Sequence, residues 1–273
     1  PSYHSFTFAI FKSLSLTETF EKTITDEKIE RWRYPRFFTE NIGKTAVLTP
    51  EDSKHISQVL RMKEGDYAIV CDGDCNDYLC RVINPDKNAA ELEILDAQRN
   101  EAEADIYVRL FQCCPKSDKM EFIVQKAAEL GASEVIPVLS KRCVSRPDLK
   151  SAAKKQERYQ KIADEASKQC GRGRILKVRP MITFEQAVKA FNKENTGILF
   201  YECGGQSINE IMNGKNKGIV DIFIGSEGGF EAHEAELAQS CGISLATLGK
   251  RILRCETAPV AAISVLMNVT GNM

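Results

Sequence analysis

Hydrophobic and polar residues alternate in short runs between residues 36 and 103, and turn residues such as Asp72-Gly73 and Asn84-Pro85 divide these runs. The runs predict four strands, at 46–48, 67–70, 78–83 and 90–95. A helix is predicted at 52–61, because Ile56, Val59 and Leu60 then share one face. This region is therefore predicted to form a small β-barrel or sheet.

After residue 103 the apolar blocks lengthen, and strand-like runs alternate with helical periods. The predicted strands are 106–111, 135–139, 196–201, 218–224 and 244–248, and the predicted helices are 118–130, 155–170, 184–191, 231–241 and 257–269. Asp118 and Glu121 have the spacing of a capping box at the start of the first helix. Such alternation is typical of an α/β fold with a mainly parallel sheet covered on both faces.

A chain of 273 residues, 43% of them hydrophobic, has room for two domains. We expect a barrel at 36–103 and an α/β domain at 104–273, preceded by an extension at 1–35 that shows no strong period. Apolar runs stay well short of the length that spans a bilayer, so no membrane segment is expected.

The strongest candidate for a binding site is the turn Gly225-Ser-Glu-Gly-Gly-Phe230, which follows the predicted strand that ends at Ile224. Glycines at the carboxyl end of a strand allow a ligand to approach the backbone. Glu227 stands where a phosphate-binding loop carries Lys and Ser or Thr, so a cationic or hydroxyl-rich ligand fits better than a polyphosphate. An ordinary glycine-rich turn without a ligand is the alternative.

Charge is distributed unevenly, although the net charge of the whole chain is only −1. Residues 115–179 contain 16 basic and 8 acidic side chains. Such a basic segment can follow a polyanion backbone, or it can simply be a set of solvated helix faces. On the helix 155–170 and just beyond it, one face is predicted to present Arg158, Glu165, Gln169 and Arg172.

The ten cysteines are scattered through apolar contexts and lack the spacing of a zinc site, so we expect reduced core residues and no metal. Cys255 belongs to a second motif, Leu248-Gly-Lys-Arg-Ile-Leu-Arg-Cys-Glu-Thr-Ala258. It is expected to be a small buried hydrophobic residue, with a nucleophile as the alternative.

Several motifs occur in the order found in one family, and residues 36–273 resemble it over nearly their whole length. They are Arg36-Phe-Phe38, His55 with Val59-Leu-Arg61, Lys116 with Asp118-Lys-Met120, Gln125-Lys-Ala-Ala-Glu-Leu-Gly131, Glu165 with Gln169 and Arg172, Gly225 with Glu227-Gly-Gly-Phe230, and Leu248-Gly with Arg251-Ile-Leu-Arg254 and Glu256-Thr-Ala258. The family is the bacterial 16S ribosomal RNA uridine-N3 methyltransferases, which belong to the SPOUT superfamily of knotted methyltransferases. One departure is Ser226, where such proteins usually have proline, and it predicts a slightly looser loop.

The resemblance implies a PUA-like barrel for RNA, a C-terminal domain with a deep trefoil knot, a homodimer, a cytoplasmic location and S-adenosylmethionine as methyl donor. By the same resemblance the cofactor-binding residues are Leu199, Phe200, Tyr201, Glu202, Ile224, Gly225, Gly229, Leu248, Gly249, Ile252, Leu253 and Arg254. The expected contacts to 16S rRNA in the small ribosomal subunit are Arg36, His55, Arg61, Lys116, Lys126, Arg142, Gln169 and Arg172.

Three residues are candidates for the chemistry of methyl transfer. Arg254 is expected to stabilise negative charge on a uracil oxygen, and either Glu256 or Glu227 is expected to accept the N3 proton, unless these acids only support the knot. Two other functions stay open: a SPOUT methyltransferase directed at tRNA, and a non-catalytic RNA-binding adaptor with the same fold.

Overall fold

The computed structural model describes residues 34–273, which form two β-sheets. The first sheet has the order β1-β3-β4-β5-β2. Its strands are β1 Arg36–Phe38, β2 Thr45–Val47, β3 Tyr67–Cys71, β4 Asn76–Asn84 and β5 Glu91–Arg99. Strands β1 and β3 are parallel and the remaining pairs are antiparallel, so the sheet is mixed. The four predicted strands are present, and β1 is an additional one.

A helix connects β2 to β3, as predicted, but its hydrogen-bonding pattern changes from α-helical to π-helical along its length. Helix α1 (Pro50–Lys54) begins at Thr49, whose side chain accepts a hydrogen bond from Asp52 N at 3.2 Å. The chain continues as a π-helical turn at His55–Val59. The turn buries Ile56 against Phe37 and Leu92 in the core of this sheet. Val59 was predicted to share that buried face, but its side chain is 68% exposed, because the wider turn rotates it outward.

The second sheet is parallel throughout its described pairings, which confirms the expected α/β architecture. Its order is β12-β10-β11-β6-β7-β8, and β9 also pairs with β7. The strands are β6 Ile106–Cys113, β7 Glu134–Leu139, β8 Lys177–Val178, β9 Ile182–Thr183, β10 Thr196–Phe200, β11 Gly218–Ile224 and β12 Ser244–Ala246. Because β10, β11 and β12 are parallel neighbours, their carboxyl ends meet at one edge.

Helices cover both faces of this sheet. They are α2 Lys119–Glu129, α3 Leu149–Gln169, α4 Phe184–Lys189, α5 Ile208–Met212, α6 Ala232–Ser240 and α7 Thr257–Val269. One apolar core contains residues of α2, α3, α5 and α7, and the other contains residues of α4 and α6. In the second core Phe111 of β6 stacks on Phe223 of β11, with ring centroids 4.5 Å apart.

Two helix starts differ from the prediction. The backbone of Asp118 has φ −89° and ψ 9° instead of an extended conformation, and its side chain makes no capping hydrogen bond. Glu121 instead pairs with Arg158 at 2.7 Å. Helix α3 begins six residues earlier than expected, because the Asp148 carboxylate accepts a hydrogen bond from Ser151 N at 2.7 Å and caps it.

Buried ion pairs lie where the first sheet meets the end of α3. Arg36 pairs with Asp77 through two contacts of 2.6 and 2.8 Å and donates to the carbonyl oxygen of Arg172 at 3.3 Å. Arg172 lies beyond the end of α3 and turns inward, so it does not share the exposed face predicted for it. Its guanidinium pairs with Glu103 and donates to the carbonyl oxygen of Ala132. The extension predicted at 1–35 lies almost entirely outside the described residues.

Candidate active site at the carboxyl ends of β10, β11 and β12

A cavity of about 470 Å³ opens where β10, β11 and β12 end. Every residue predicted to bind the cofactor lines it, with one exception, Leu199. The lining set comprises Phe200, Tyr201, Glu202, Ile224, Gly225, Gly229, Leu248, Gly249, Ile252, Leu253 and Arg254. Leu199 is fully buried and packs in the core beneath the cavity.

Backbone, with few side chains, forms the floor of the cavity at the glycine loop 225–230. Gly229 N donates to Ser226 O at 3.0 Å and closes a tight turn in which Gly229 has φ +67°. A Cβ at Gly225 would lie 2.9 Å from the Cα of Gly229, and one at Gly229 would lie 2.5 Å from Oε1 of Glu202. A side chain at Gly225 would push the loop backbone apart, and the positive φ of Gly229 disfavours any residue with a Cβ, so both positions need glycine.

The second wall is the segment that runs from β12 to α7. Gly249 has φ +100°, and its N–H donates to Thr247 Oγ1 at 3.1 Å, which turns the chain across the cavity. Ile252 is 87% exposed, a high value for an apolar side chain at the rim of a cavity. Arg254 is exposed as well, and its carbonyl oxygen accepts the N–H of Thr257 at 2.9 Å, where α7 begins.

Lys119, in the first turn of α2, joins the two walls. Its Nζ lies 3.1 Å from Glu227 Oε1 and 3.1 Å from Glu256 Oε2. Glu227 belongs to the glycine loop and Glu256 to the second wall, so one ammonium touches both candidate proton acceptors. In the sequence Lys119 belongs only to the Asp118-Lys-Met120 motif, and no local pattern predicts this role.

The pKa values of these groups follow from their partners. Burial acts to raise the pKa of Glu227, but the N–H groups of Glu227 and Lys116 and the ammonium of Lys119 hold it below its usual value. The hydrogen bond from the Cys255 thiol, with further help from Lys119, lowers the pKa of Glu256. Both acids are therefore ionised near neutral pH.

Cys255 itself is a protonated thiol, because burial and its bond to Glu256 raise its pKa to about 12. The burial expected of this side chain is confirmed. All ten cysteines lie within the described residues and are free, although Cys203 is exposed. Within residues 34–273, no group of three or more His, Cys, Asp and Glu side chains is arranged to hold a metal ion.

The residues predicted to contact RNA lie in three kinds of environment. Arg36 and Arg172 are 7% and 4% exposed and are held by ion pairs, so both are structural residues at the junction of the sheets. The other six are exposed or half-buried: His55, Arg61, Lys116, Lys126, Arg142 and Gln169.

Two of these six lie beside the cavity. Arg142 donates to the carbonyl oxygen of Gly228 at 2.8 Å, and Lys116 N donates to the Glu227 carboxylate at 3.1 Å. His55 packs edge-on against Phe37, and Lys126 pairs with Glu129 at 2.8 Å.

Among the helices of the described region, none combines the length and the hydrophobicity that crossing a bilayer requires.

Comparison with known proteins agrees with this geometry. Residues 102–267 match the RNA methyltransferase domain family, and residues 48–95 match the RNA methyltransferase PUA domain. Ribosomal RNA small subunit methyltransferase E of Bacillus subtilis is 34% identical over 229 residues, which cover 81% of this chain and 89% of that protein. The protein of the same name from Buchnera aphidicola subsp. Schizaphis graminum is 30% identical and covers 88% of this chain and 98% of its own length.

Solved structures extend the likeness to the fold. A ribosomal RNA small subunit methyltransferase E from Neisseria gonorrhoeae, bound to S-adenosylmethionine, superposes with a TM-score of 0.79 at 32% identity and covers 86% of this chain and 97% of its own. A Legionella pneumophila methyltransferase in complex with the same cofactor has a TM-score of 0.78 at 29% identity and covers 86% and 98%. The chain thus belongs to the ribosomal RNA small subunit methyltransferase E family.

Proposed function

We propose that this protein transfers a methyl group from S-adenosylmethionine to N3 of a uridine in the 16S rRNA of the small ribosomal subunit. The observation that carries the proposal is the cavity in which the glycine loop and the second wall meet, which Arg254 and Glu227 line and to which Lys119 ties Glu256. Relatives of the same family are named for action on small subunit ribosomal RNA, and two similar structures hold S-adenosylmethionine.

The residues present fit this cofactor. A volume of about 470 Å³ lies within the usual range for small-molecule sites. Leu248, Ile252 and Leu253 offer apolar surface to an adenine ring, and the Glu202 carboxylate offers acceptors to ribose hydroxyls. When bound, S-adenosylmethionine supplies an electrophilic methyl group on a positively charged sulfur.

The chain contributes position and charge to the reaction. Arg254 is exposed at the cavity and is free to approach a uracil carbonyl oxygen, where negative charge grows as N3 loses its proton. Glu227 and Glu256 are ionised, and either carboxylate can accept that proton. Tight walls of backbone hold the partners in line, which is the main source of rate in such a displacement.

A basic stripe on α3 supports RNA binding next to this cavity. We define it as Lys150, Lys154, Arg158 and Lys161, which are exposed and lie on one face of the helix. The loop that precedes α3 contains Arg142, which touches the glycine loop. We infer that phosphates follow this stripe, and that His55, Arg61, Lys116, Lys126 and Gln169 add contacts.

Two domains serve these two tasks: the PUA-like barrel at 36–103 for RNA, and the α/β domain at 104–273 for methyl transfer. We infer a trefoil knot in the second domain. In the order β12-β10-β11-β6 the chain passes from β11 beyond β10 to β12, and α7 then returns to pack against α2. This path supports the knot, and a ribosomal substrate supports a cytoplasmic location.

The outer face of α7 supports a homodimer. Val265 and Val269 are exposed on this helix, although its other face is buried against α2. A helix that is apolar on both faces is usually covered on both. We infer that a second copy covers it.

Methylation of isolated particles tests the proposal. Small ribosomal subunits that lack the modification are incubated with the protein and S-adenosylmethionine labelled in the methyl group, and the labelled nucleotide is mapped by primer extension. Label at N3 of one 16S uridine supports the proposal. Label on tRNA ribose, or no label despite bound cofactor, would refute it.

A further inference from the structure

Lys119 brings together three elements that are distant in the sequence. It lies in the first turn of α2, whereas Glu227 follows β11 and Glu256 precedes α7. Both carboxylates contact the same ammonium at 3.1 Å. The Lys119 side chain is 29% exposed and lines the cavity together with Glu227, so these two groups face the space where substrate and cofactor would meet.

The charges of this cluster do not cancel. Two carboxylates share one ammonium, the Cys255 thiol beside them is neutral, and Lys116 contributes only its main-chain N–H. The cluster therefore has one net negative charge. A simple ion pair would be neutral and would be a poor proton acceptor, whereas two carboxylates without a cation would repel each other until one of them became protonated.

Building on the proposed function, we propose that Lys119 is a positioning residue for methyl transfer, which holds Glu227 and Glu256 together so that one carboxylate accepts the N3 proton while the other balances the ammonium. The N3–H bond breaks and its proton goes to a carboxylate oxygen. The electron pair left on N3 forms the bond to the methyl carbon, and the electron pair of the broken C–S bond stays on sulfur. Lys119 acts through the acids and does not itself exchange a proton.

Removal of the Lys119 ammonium should change the pH dependence of the methylation rate in a defined direction. Lys119 lowers the pKa of both acids, so its loss raises these values, and more of the proton acceptor is protonated at low pH. The acid limb of the rate profile then moves to higher pH. A role confined to structure would lower the rate by the same factor at every pH.

The test compares single-turnover methylation by Lys119→Met, Lys119→Arg and the wild type, from about pH 4 to about pH 9. Lys119→Met is expected to shift the acid limb upward by about one unit, so that its rate falls further behind the wild type as the pH is lowered, to at most about tenfold at the acid end of the series, and stays within ~3-fold near pH 9. Lys119→Arg, which keeps the charge, is expected to restore the wild-type limb. Lys189→Met removes an exposed charge on α4 away from the cavity and serves as the matched control.

A second measurement is independent of turnover. Titration of ¹³C-labelled glutamate carboxyls by NMR is expected to show higher midpoints for Glu227 and Glu256 in Lys119→Met, and in Lys119→Gln if the first variant folds poorly. Midpoints that stay at their wild-type values, or an acid limb that does not move, would overturn the inference. If the wild type shows normal carboxyl titrations but methylates no rRNA, the proposed function fails, and the role of Lys119 in it fails too.

Discussion

Arg36 and Asp77 form a two-point ion pair, with N–O distances of 2.6 and 2.8 Å, and both side chains are almost fully buried. The pair does more than close the first sheet, because Arg36 also donates to the carbonyl oxygen of Arg172 in the α/β domain. Asn100 adds hydrogen bonds to Asp77 and to Gly171 O at 2.9 and 3.0 Å. The first sheet is thereby fixed to the end of α3.

Replacement of Arg36 by Met is expected to destabilise the protein by about 3–5 kcal/mol, because it leaves the Asp77 carboxylate buried without its main charge partner. Urea unfolding measures the change. Arg81→Met, which disrupts a pair with Glu93 in which both side chains are more than 40% exposed, should cost less than about 1 kcal/mol. Equal losses of unfolding free energy in the two variants would contradict the idea that burial makes the Arg36–Asp77 pair the stronger contributor to stability.

This pair also marks a limit of sequence reading. Arg36 and Arg172 were both expected to contact RNA because of the resemblance to the methyltransferase family, yet each is held by an acid, Asp77 or Glu103, that is distant in sequence. Hydrophobic periodicity predicted most strands and helices within a few residues, because one face of each packs on a core. It missed short elements such as α5, which offers only one turn of period.

One part of the candidate site, the glycine loop, was predictable from the sequence alone. Glycine spacing located the loop at 225–230, because close approach of Gly225 and Gly229 has a local signature. The role of Lys119 was not predicted, because its ion pairs join α2 to two later segments and therefore depend on the tertiary fold. Periodicity alone also cannot reveal strand order, so the meeting of β10, β11 and β12 had to come from the structure.

Gly225→Ala is expected to weaken binding of S-adenosylmethionine by more than about tenfold, because the new Cβ would lie 2.9 Å from the backbone of Gly229 and the loop must shift. Calorimetry measures the affinity. Gly43→Ala is the matched control, since a Cβ at Gly43 meets nothing within 4 Å. Unchanged affinity in Gly225→Ala would show that the loop does not touch the cofactor.

Arg254→Ala is expected to lower the single-turnover rate by about 10²–10³-fold, since a cation that stabilises charge only in the transition state affects rate more than binding. Affinity for the cofactor, measured in parallel, should change much less. Arg254→Lys should recover part of the rate because it keeps the charge. Full turnover by the alanine variant with normal cofactor binding would exclude this role.

Alkylation at neutral pH is expected to modify Cys203 first and to spare Cys255. Cys203 is exposed, whereas burial raises the pKa of Cys255 to about 12, so almost no thiolate is present there at neutral pH. Mass spectrometry of peptides after a short exposure to iodoacetamide measures the order. Early modification of Cys255 would reopen the possibility of a nucleophile in the second wall.

Binding of 16S rRNA fragments should weaken steeply with salt, because lysines on α3 displace counterions from phosphates. The triple substitution of Lys150, Lys154 and Lys161 by Ala is expected to reduce the slope of log K against log salt by about one for each lysine that contacts a phosphate. The matched control replaces three lysines that are exposed elsewhere, Lys189, Lys193 and Lys215. Filter binding over a salt series measures both slopes. A slope that falls equally in both variants would mean that RNA senses only net charge, whereas a fall confined to the α3 variant would place the phosphates along the stripe that leads to Arg142 and the cavity.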